Sequence, residues 1–556
     1  MIPRRHACEK PLRPSLVVES APASGDVGAA RSGADPRRPV ADDVSGAPIP
    51  REEGAPRPCR PAPCRALEAR PRCSSRAAGG VVARVGCALA SRAMTPEERL
   101  ERHRRLSESD HKNLWHPFTQ MEGWLAEEPL VVDGAEGVFL VDTLGRRYLD
   151  GVSSLWCNVH GHRVPEIDAA VREQLDRVSH STLLGLASTA SIECAEELLR
   201  WTPKGLTRVF FSDAGSTAVE IALKMAYQHH QLRGDEARKE FVALRGGYHG
   251  DTIGSVSLGG IDLFHRIFQP LLFPVNHAPQ PYCYRCPLGK EQPSCQMQCA
   301  DEVERIFTER KGRIAALVLE PLVQGADGMI MQPKGYLRRM RELCDREGAL
   351  LVCDEVATGF GRTGAMFAVE SENVVPDIMT VAKGLSGGYL PLAATLTTER
   401  VFESFLGPFG ANRTFFHGHT FCGNPLACAA AIASMKLFRE KAVLASLPGK
   451  IDALARALLP VREHPRVGEV RQRGLMVGIE LVRDRGTKQE YPHDARAGHR
   501  ACMEARTMGA VLRPLGNVLV LMPPLAMTEG HLTELAGIAH ESIRRATEKL
   551  DRELAA

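Results

Sequence analysis

Apolar residues in this chain fall into short unbroken runs that alternate with stretches where they recur every three or four positions. Runs such as Ile314-Ala-Ala-Leu-Val-Leu319 and Ile378-Met-Thr-Val381, and the run that ends at Cys353, have strand length and are bounded by turn residues. They read as buried strands. Val219, Ala222, Leu223 and Ala226 keep the i, i+3, i+4, i+7 spacing of one buried helical face. Over residues 165–440 the two patterns alternate, which predicts βαβ units and a largely parallel sheet.

The flanks differ. The stretch Asn113-Leu-Trp-His-Pro-Phe-Thr-Gln-Met-Glu-Gly-Trp124 is aromatic-rich and broken by Pro117, so it reads as an arm packed over something. Residues 130–150 carry Gly turns between short apolar runs and predict a small antiparallel meander. After residue 442 come amphipathic helices, an alternating hairpin pattern over 468–481, and short strands before a final helix. The expected fold is α/β: residues 94–164 form an N-terminal arm and part of a small domain. Residues 165–440 form a large domain with a mostly parallel sheet, and residues 441–556 complete a small α+β domain.

Composition changes this picture at one place. Residues 1–93 contain no Phe, Tyr or Trp and are rich in Arg, Pro, Ala, Gly and Ser. Such a segment cannot bury enough apolar surface to offset its ordering entropy. Met94 is followed by Thr-Pro-Glu-Glu, a capped helix start, and reads as the true start of translation. A targeting sequence or a basic nucleic-acid arm are the functional alternatives for the preceding residues. The 556 residues are 44% hydrophobic and 25% charged, with a net charge of +3. That balance predicts neither nucleic-acid nor membrane-surface binding, and no apolar run approaches the length of a spanning helix. The expected setting is cytoplasmic, with the 16 cysteines reduced.

The chemistry gathers where strands end. The apolar runs before Asp354 and Lys383 stop on those charges and then on glycines, which places both at carboxyl ends of strands, where open α/β sheets bind ligands. An Ala-Lys-Gly after a strand, taken singly, is an ordinary surface lysine. A buried amine opposite a buried carboxylate is instead what a Schiff-base lysine requires. Gly215-Ser216-Thr217 follows another strand run and opens a helix, with Thr217 and Glu220 at capping-box spacing. The free N–H groups of such a turn suit a phosphate, or simply belong to a capped helix. Tyr248 follows the run Phe241-Val-Ala-Leu244 and either covers a planar ring or fills core. Glu320 ends one more strand. Arg362 and Arg513 are candidates for carboxylate recognition, or structural ion-pair partners. Cys283, Cys286, Cys295 and Cys299 have a spacing like a zinc ribbon with one irregular pair; they are read as thiols, with no metal assigned.

With these residues together, the sequence from Asn113 onward resembles the class-III, fold-type-I aminotransferases that use pyridoxal 5′-phosphate. Asp354-Glu-Val, Gly359-Phe-Gly-Arg-Thr-Gly364 and Lys383 carry the likeness. Within that class, Leu114-Trp-His-Pro-Phe-Thr-Gln-Met121, Asp150-Gly-Val-Ser-Ser-Leu-Trp-Cys-Asn-Val-His-Gly-His162, Tyr248-His-Gly-Asp-Thr-Ile-Gly254 and His417-Gly-His-Thr-Phe-Cys-Gly-Asn424 resemble the diaminononanoate synthases of biotin synthesis. Those enzymes aminate 8-amino-7-oxononanoate, usually from S-adenosylmethionine. The resemblance implies Lys383 as the Schiff-base lysine, Asp354 as the partner of the pyridine nitrogen, and Tyr248 as the ring's cover. It implies Gly215, Ser216, His419 and Thr420 as further cofactor contacts, Thr420 reaching across from the partner of a homodimer. It implies Trp156, Leu155, Asp251, Arg362, Gly418 and Phe118 around the substrates, and Arg513 on the keto acid's carboxylate. Phe118 stands where the adenosylmethionine users carry Tyr, and Leu155 where some members carry Trp. Both resemble a branch that uses lysine as amino donor.

Overall fold

The structure, a computed structural model, describes residues 94–555; the expectations for residues 1–93 lie outside the described residues. Its centre is a seven-stranded sheet in the order Leu206–Ser212, Ala393–Thr398, Ile378–Val381, Leu350–Asp354, Ile314–Leu319, Glu240–Leu244, Asn276–Ala278. The last five are mutually parallel, while Ala393–Thr398 runs antiparallel to both its neighbours. Every residue of Ile314–Leu319, Leu350–Asp354 and Ile378–Val381 is buried, so both faces are covered. That is why these strands read as unbroken apolar runs and not as alternation. Because the three lie side by side and parallel, their carboxyl ends bring Glu320, Asp354 and Lys383 to one edge of the sheet.

The helix Gly215–Leu232 buries Val219, Ala222, Leu223 and Ala226 as its spacing predicts. Its start is not the Thr217–Glu220 box. The Thr217 hydroxyl accepts the Ala214 N–H at 3.1 Å, and Glu220 accepts the N–H groups of Gly254 and Ser255. Equal spacing served a different pair of donors. By contrast, Thr95 and Glu98 do form a capping box at the head of the helix Pro96–Asn113. That helix ends at Leu114, and Met121–Leu125 resumes helix beyond the Pro117 break.

The start and finish of the described chain meet in one small sheet. Val132–Glu136, Phe139–Asp142 and Arg147–Asp150 form the meander, and Ala510–Val511 adds in parallel to its last strand. A second sheet is built on the antiparallel hairpin Val467–Arg473 and Met476–Asp484, extended by Val518–Leu521 and Arg513–Leu515. The helix Glu529–Ala555 closes the chain.

Candidate active site

A cavity of about 460 Å³ opens at the edge where the three strands end, lined among others by Trp156, Gly215, Ser216, Tyr248, Asp251, Glu320, Asp354 and Lys383. Lys383 lies just past Ile378–Val381, at φ +44°, in a short 3-10 turn. Burial pushes its amine below the usual lysine range, and the charges of Asp354 and Glu320 pull part of the way back. Desolvation wins because no carboxylate makes a salt bridge with it among the described residues; its ammonium position is 4.9 Å from the centre of the Trp156 ring.

Asp354 is fastened on both oxygens. Oδ1 accepts the Val356 N–H at 3.1 Å and the Thr380 hydroxyl at 3.0 Å, while Oδ2 meets Nδ1 of His249 at 2.8 Å. Burial opposes charge on the His249 ring, but the hydrogen bond and charge of Asp354 outweigh it and hold that ring above the ordinary histidine range. Tyr248 donates its hydroxyl to Asp251 at 2.8 Å, and burial and that carboxylate together keep the phenol protonated. The Gly215–Leu232 helix aims its first N–H groups, which have no acceptor within the helix, at the same cavity through Gly215 and Ser216. Gly250, at φ +113°, lies so close that a Cβ there would sit 2.3 Å from Cβ of Ser216.

Trp156 reaches the cavity from an uncommon backbone. Ser153, Ser154, Leu155 and Trp156 all have φ between +49° and +75°, a left-handed turn that costs L-residues about 1–2 kcal/mol each. Asp150 accepts both the Ser154 N–H and its hydroxyl, and Ser153 donates to the Met522 carbonyl. Arg362 completes the clamp and corrects an expectation. It is 1% exposed. Its two Nη atoms donate to Ser153 Oγ and to the carbonyls of Pro523, Trp156 and Asn158. Both Nη atoms are engaged by the protein, Nε is buried without a partner among the described residues, and the side chain is not part of the cavity lining, so Arg362 supports the turn from inside. The indole Nε1 of Trp156 is buried with no partner among the described residues, a donor left for a bound molecule.

Other predicted residues stand apart. Phe118 and Arg513 are linked to the site through Tyr248: the Phe118 ring is edge-on to it at 6.3 Å, and Arg513 acts on its phenol electrostatically. Leu155 is 50% exposed. Thr420 is exposed, and Gly418 and His419 line a separate hollow with Leu183 and Leu184. His419 still touches the site's rim, with Nδ1 3.1 Å from Oδ1 of Asp213. Cys283, Cys286, Cys295 and Cys299 face one small cavity as free thiols. Among the described residues no group of three or more His, Cys, Asp or Glu is placed to hold a metal ion.

Residues 123–543 match the family described as aminotransferase class-III. The chain belongs to the class-III aminotransferase family. This class-III aminotransferase is 55% identical over 456 residues to an adenosylmethionine-8-amino-7-oxononanoate aminotransferase of Nitratidesulfovibrio vulgaris, covering 82% of this chain and 84% of the relative. It is 52% identical over 443 residues to the protein of the same description from Geobacter sulfurreducens, covering 80% and 98%. Among solved structures, the Methanocaldococcus jannaschii protein of that description superposes with a TM-score of 0.76 at 43% identity, over 80% of this chain and 99% of the other. An amine transaminase from an uncultivated Pseudomonas, solved in its PLP-bound internal aldimine form, gives 0.75 at 36% identity over 78% and 99%. The fold is therefore fold-type I.

Two residues of this class-III aminotransferase escaped the sequence reading of the site. His249 sits beside Tyr248 in the same turn, and a polar residue after a strand end was the available signal. Glu320 was visible as a strand-ending carboxylate but carried no assigned role.

Proposed function

We propose that this class-III aminotransferase converts 8-amino-7-oxononanoate to 7,8-diaminononanoate by ping-pong transamination, with S-adenosylmethionine as amino donor and pyridoxal 5′-phosphate as cofactor. The observation that carries the chemistry is the buried amine of Lys383 in one cavity with the clamped carboxylate of Asp354. The cavity fits the cofactor: it offers a helix N-terminus for a phosphate, a close glycine at Gly250 beside it, and the unpartnered Trp156 Nε1. Gly215 and Ser216 would hold the phosphate, Asp354 the pyridine nitrogen and Tyr248 the ring face. When bound, the cofactor supplies the electron sink through which an amino group passes from one substrate to the other.

The protein's own tasks follow from its groups. Burial pushes the Lys383 amine below the usual lysine range, which favours the neutral form whose Nζ can attack a carbonyl and take up or deliver a proton. Asp354, with His249 behind it and Val356 and Thr380 on its other oxygen, is held in one orientation beside the cavity. Arg513, half-buried on its strand, is the cation left for a substrate carboxylate once Arg362 is engaged elsewhere. Thr420 and Gly418 are exposed on this chain, which supports a homodimer in which that loop serves the partner's site. Among the described residues no helix is long and apolar enough to cross a membrane, and a cytoplasmic setting fits the pathway.

Lysine as donor is the second reading, favoured by Phe118, which stands edge-on to Tyr248 and brings no hydroxyl. Half-reactions decide between them. The purified chain mixed with S-adenosylmethionine or with lysine should lose its cofactor-aldehyde absorbance with one donor and not the other. Lys383→Ala, with no amine to join the cofactor's aldehyde, should lack the absorbance of the lysine-bound cofactor from the outset. A wild-type chain that stays colourless with added cofactor defeats the cofactor assignment. A coloured chain indifferent to both donors defeats only the substrate assignment.

A further inference from the structure

Glu320 follows the strand Ile314–Leu319, is 4% exposed and lines the cavity. Its two oxygens face different segments. Oε1 accepts the backbone N–H of Tyr248 at 3.1 Å, and Oε2 accepts that of Gly325 at 2.9 Å. Its own carbonyl is held by the Gln332 amide at 2.7 Å, so the carboxylate projects from an anchored backbone. Gly325 in turn lies against Trp156: a Cβ on it would sit 3.2 Å from Cζ3 of the indole. The residues reached through these two N–H groups, Tyr248 and Trp156, are both walls of the site.

We infer that Glu320 is a positioning residue, a single carboxylate that ties the Tyr248 turn to the Gly325 hairpin and thereby fixes the Tyr248 ring and the Trp156 indole relative to each other. The inference takes this cavity to be the site proposed above. Two backbone donors require two acceptor oxygens. A glutamine of the same size has one acceptor and would turn an NH₂ donor toward the second N–H. The tie is made without a cation paired to it among the described residues. Burial holds the carboxyl up at about 7 even though the nearby His249 and the two N–H groups pull it down. A carboxylate kept at that desolvation cost with no salt bridge is explained by the two donors it joins.

Hydrogen exchange read by mass spectrometry tests this on the full chain as purified, with cofactor absorbance recorded on the same sample. In Glu320→Leu, which removes both acceptor oxygens, amides in the segments 245–252 and 322–331 should both exchange faster, by roughly fivefold for each hydrogen bond lost, while the sheet strands keep wild-type rates. Michaelis constants for both substrates should rise by a larger factor than kcat falls, because the walls and not the amine have moved. Glu320→Asp keeps the charge but has a shorter reach, and should loosen both segments to an intermediate degree; it serves if the leucine variant does not fold. Faster exchange in one segment alone, or in neither, overturns the inference. A wild-type chain that shows no cofactor absorbance would instead count against the cofactor assignment.

Discussion

Nδ1 of His249 lies 2.8 Å from Oδ2 of Asp354, with the two side chains 1% and 4% exposed. Because the ring is held above its ordinary value, the folded chain binds this proton more tightly than the unfolded one. Its contribution to stability is complete below about pH 6.5, the usual histidine value, and is lost as pH rises through the raised folded value. His249→Asn can still donate to Asp354 but does not titrate. Thermal midpoints of the two proteins measured from pH 6 upward should therefore converge, the wild type losing its advantage on the alkaline side. A gap independent of pH would mean that the ring is neutral throughout.

A glycine beside the helix N-terminus gives a second test. Gly250 has φ +113°, and a Cβ there would come within 2.3 Å of Cβ and 2.8 Å of Cα of Ser216. One of these would be backbone, which cannot step aside as a flexible side-chain tip can. Gly250→Ala should displace Ser216 from the phosphate position and weaken pyridoxal 5′-phosphate binding by at least about tenfold, equivalent to about 1.4 kcal/mol. Cofactor titration followed by absorbance measures it. Unchanged affinity would place the phosphate elsewhere.

How much of this could be read in advance follows from burial. Strands covered on both faces leave unbroken apolar runs, and a charge that ends such a run stands out; hence Asp354 and Lys383 were legible. The parallel order of 314–319, 350–354 and 378–381 was implied by the alternation with helices, and it is this order that assembles the site. Arg362 was not legible. An arginine in a Gly-rich turn looks the same whether it faces a ligand or clamps backbone. What decides is the left-handed turn at 153–156, built from Ser, Ser, Leu and Trp, residue types that announce no such conformation. The His249–Asp354 pair spans 105 positions, and no local pattern encodes it. The Thr217–Glu220 spacing misled because Gly254 and Ser255 compete for the carboxylate, a tertiary contact overriding a local one.

Arg362 then makes the sharpest separation between support and contact. Its guanidinium serves four acceptors, three of them carbonyls of Trp156, Asn158 and Pro523. Arg362→Met keeps the stem but takes this donor from the three carbonyls in a buried place, and it releases a turn whose four left-handed residues store strain. Hydrogen bonds to a charged donor contribute about 1.5–3 kcal/mol each, and a buried acceptor left without one is penalised further. The loss should exceed about 3 kcal/mol even after partial relaxation. Chemical unfolding of the cofactor-free chain would read it directly. Fluorescence of a Trp156→Phe control identifies the indole's share of the signal, which should shift toward that of a solvated ring in Arg362→Met. If stability held and only the Michaelis constant for one substrate rose, Arg362 would be facing that substrate and not the turn. A clamp predicts the reverse order: stability falls first, and catalysis with both substrates falls with it, because the Trp156 wall serves each in turn.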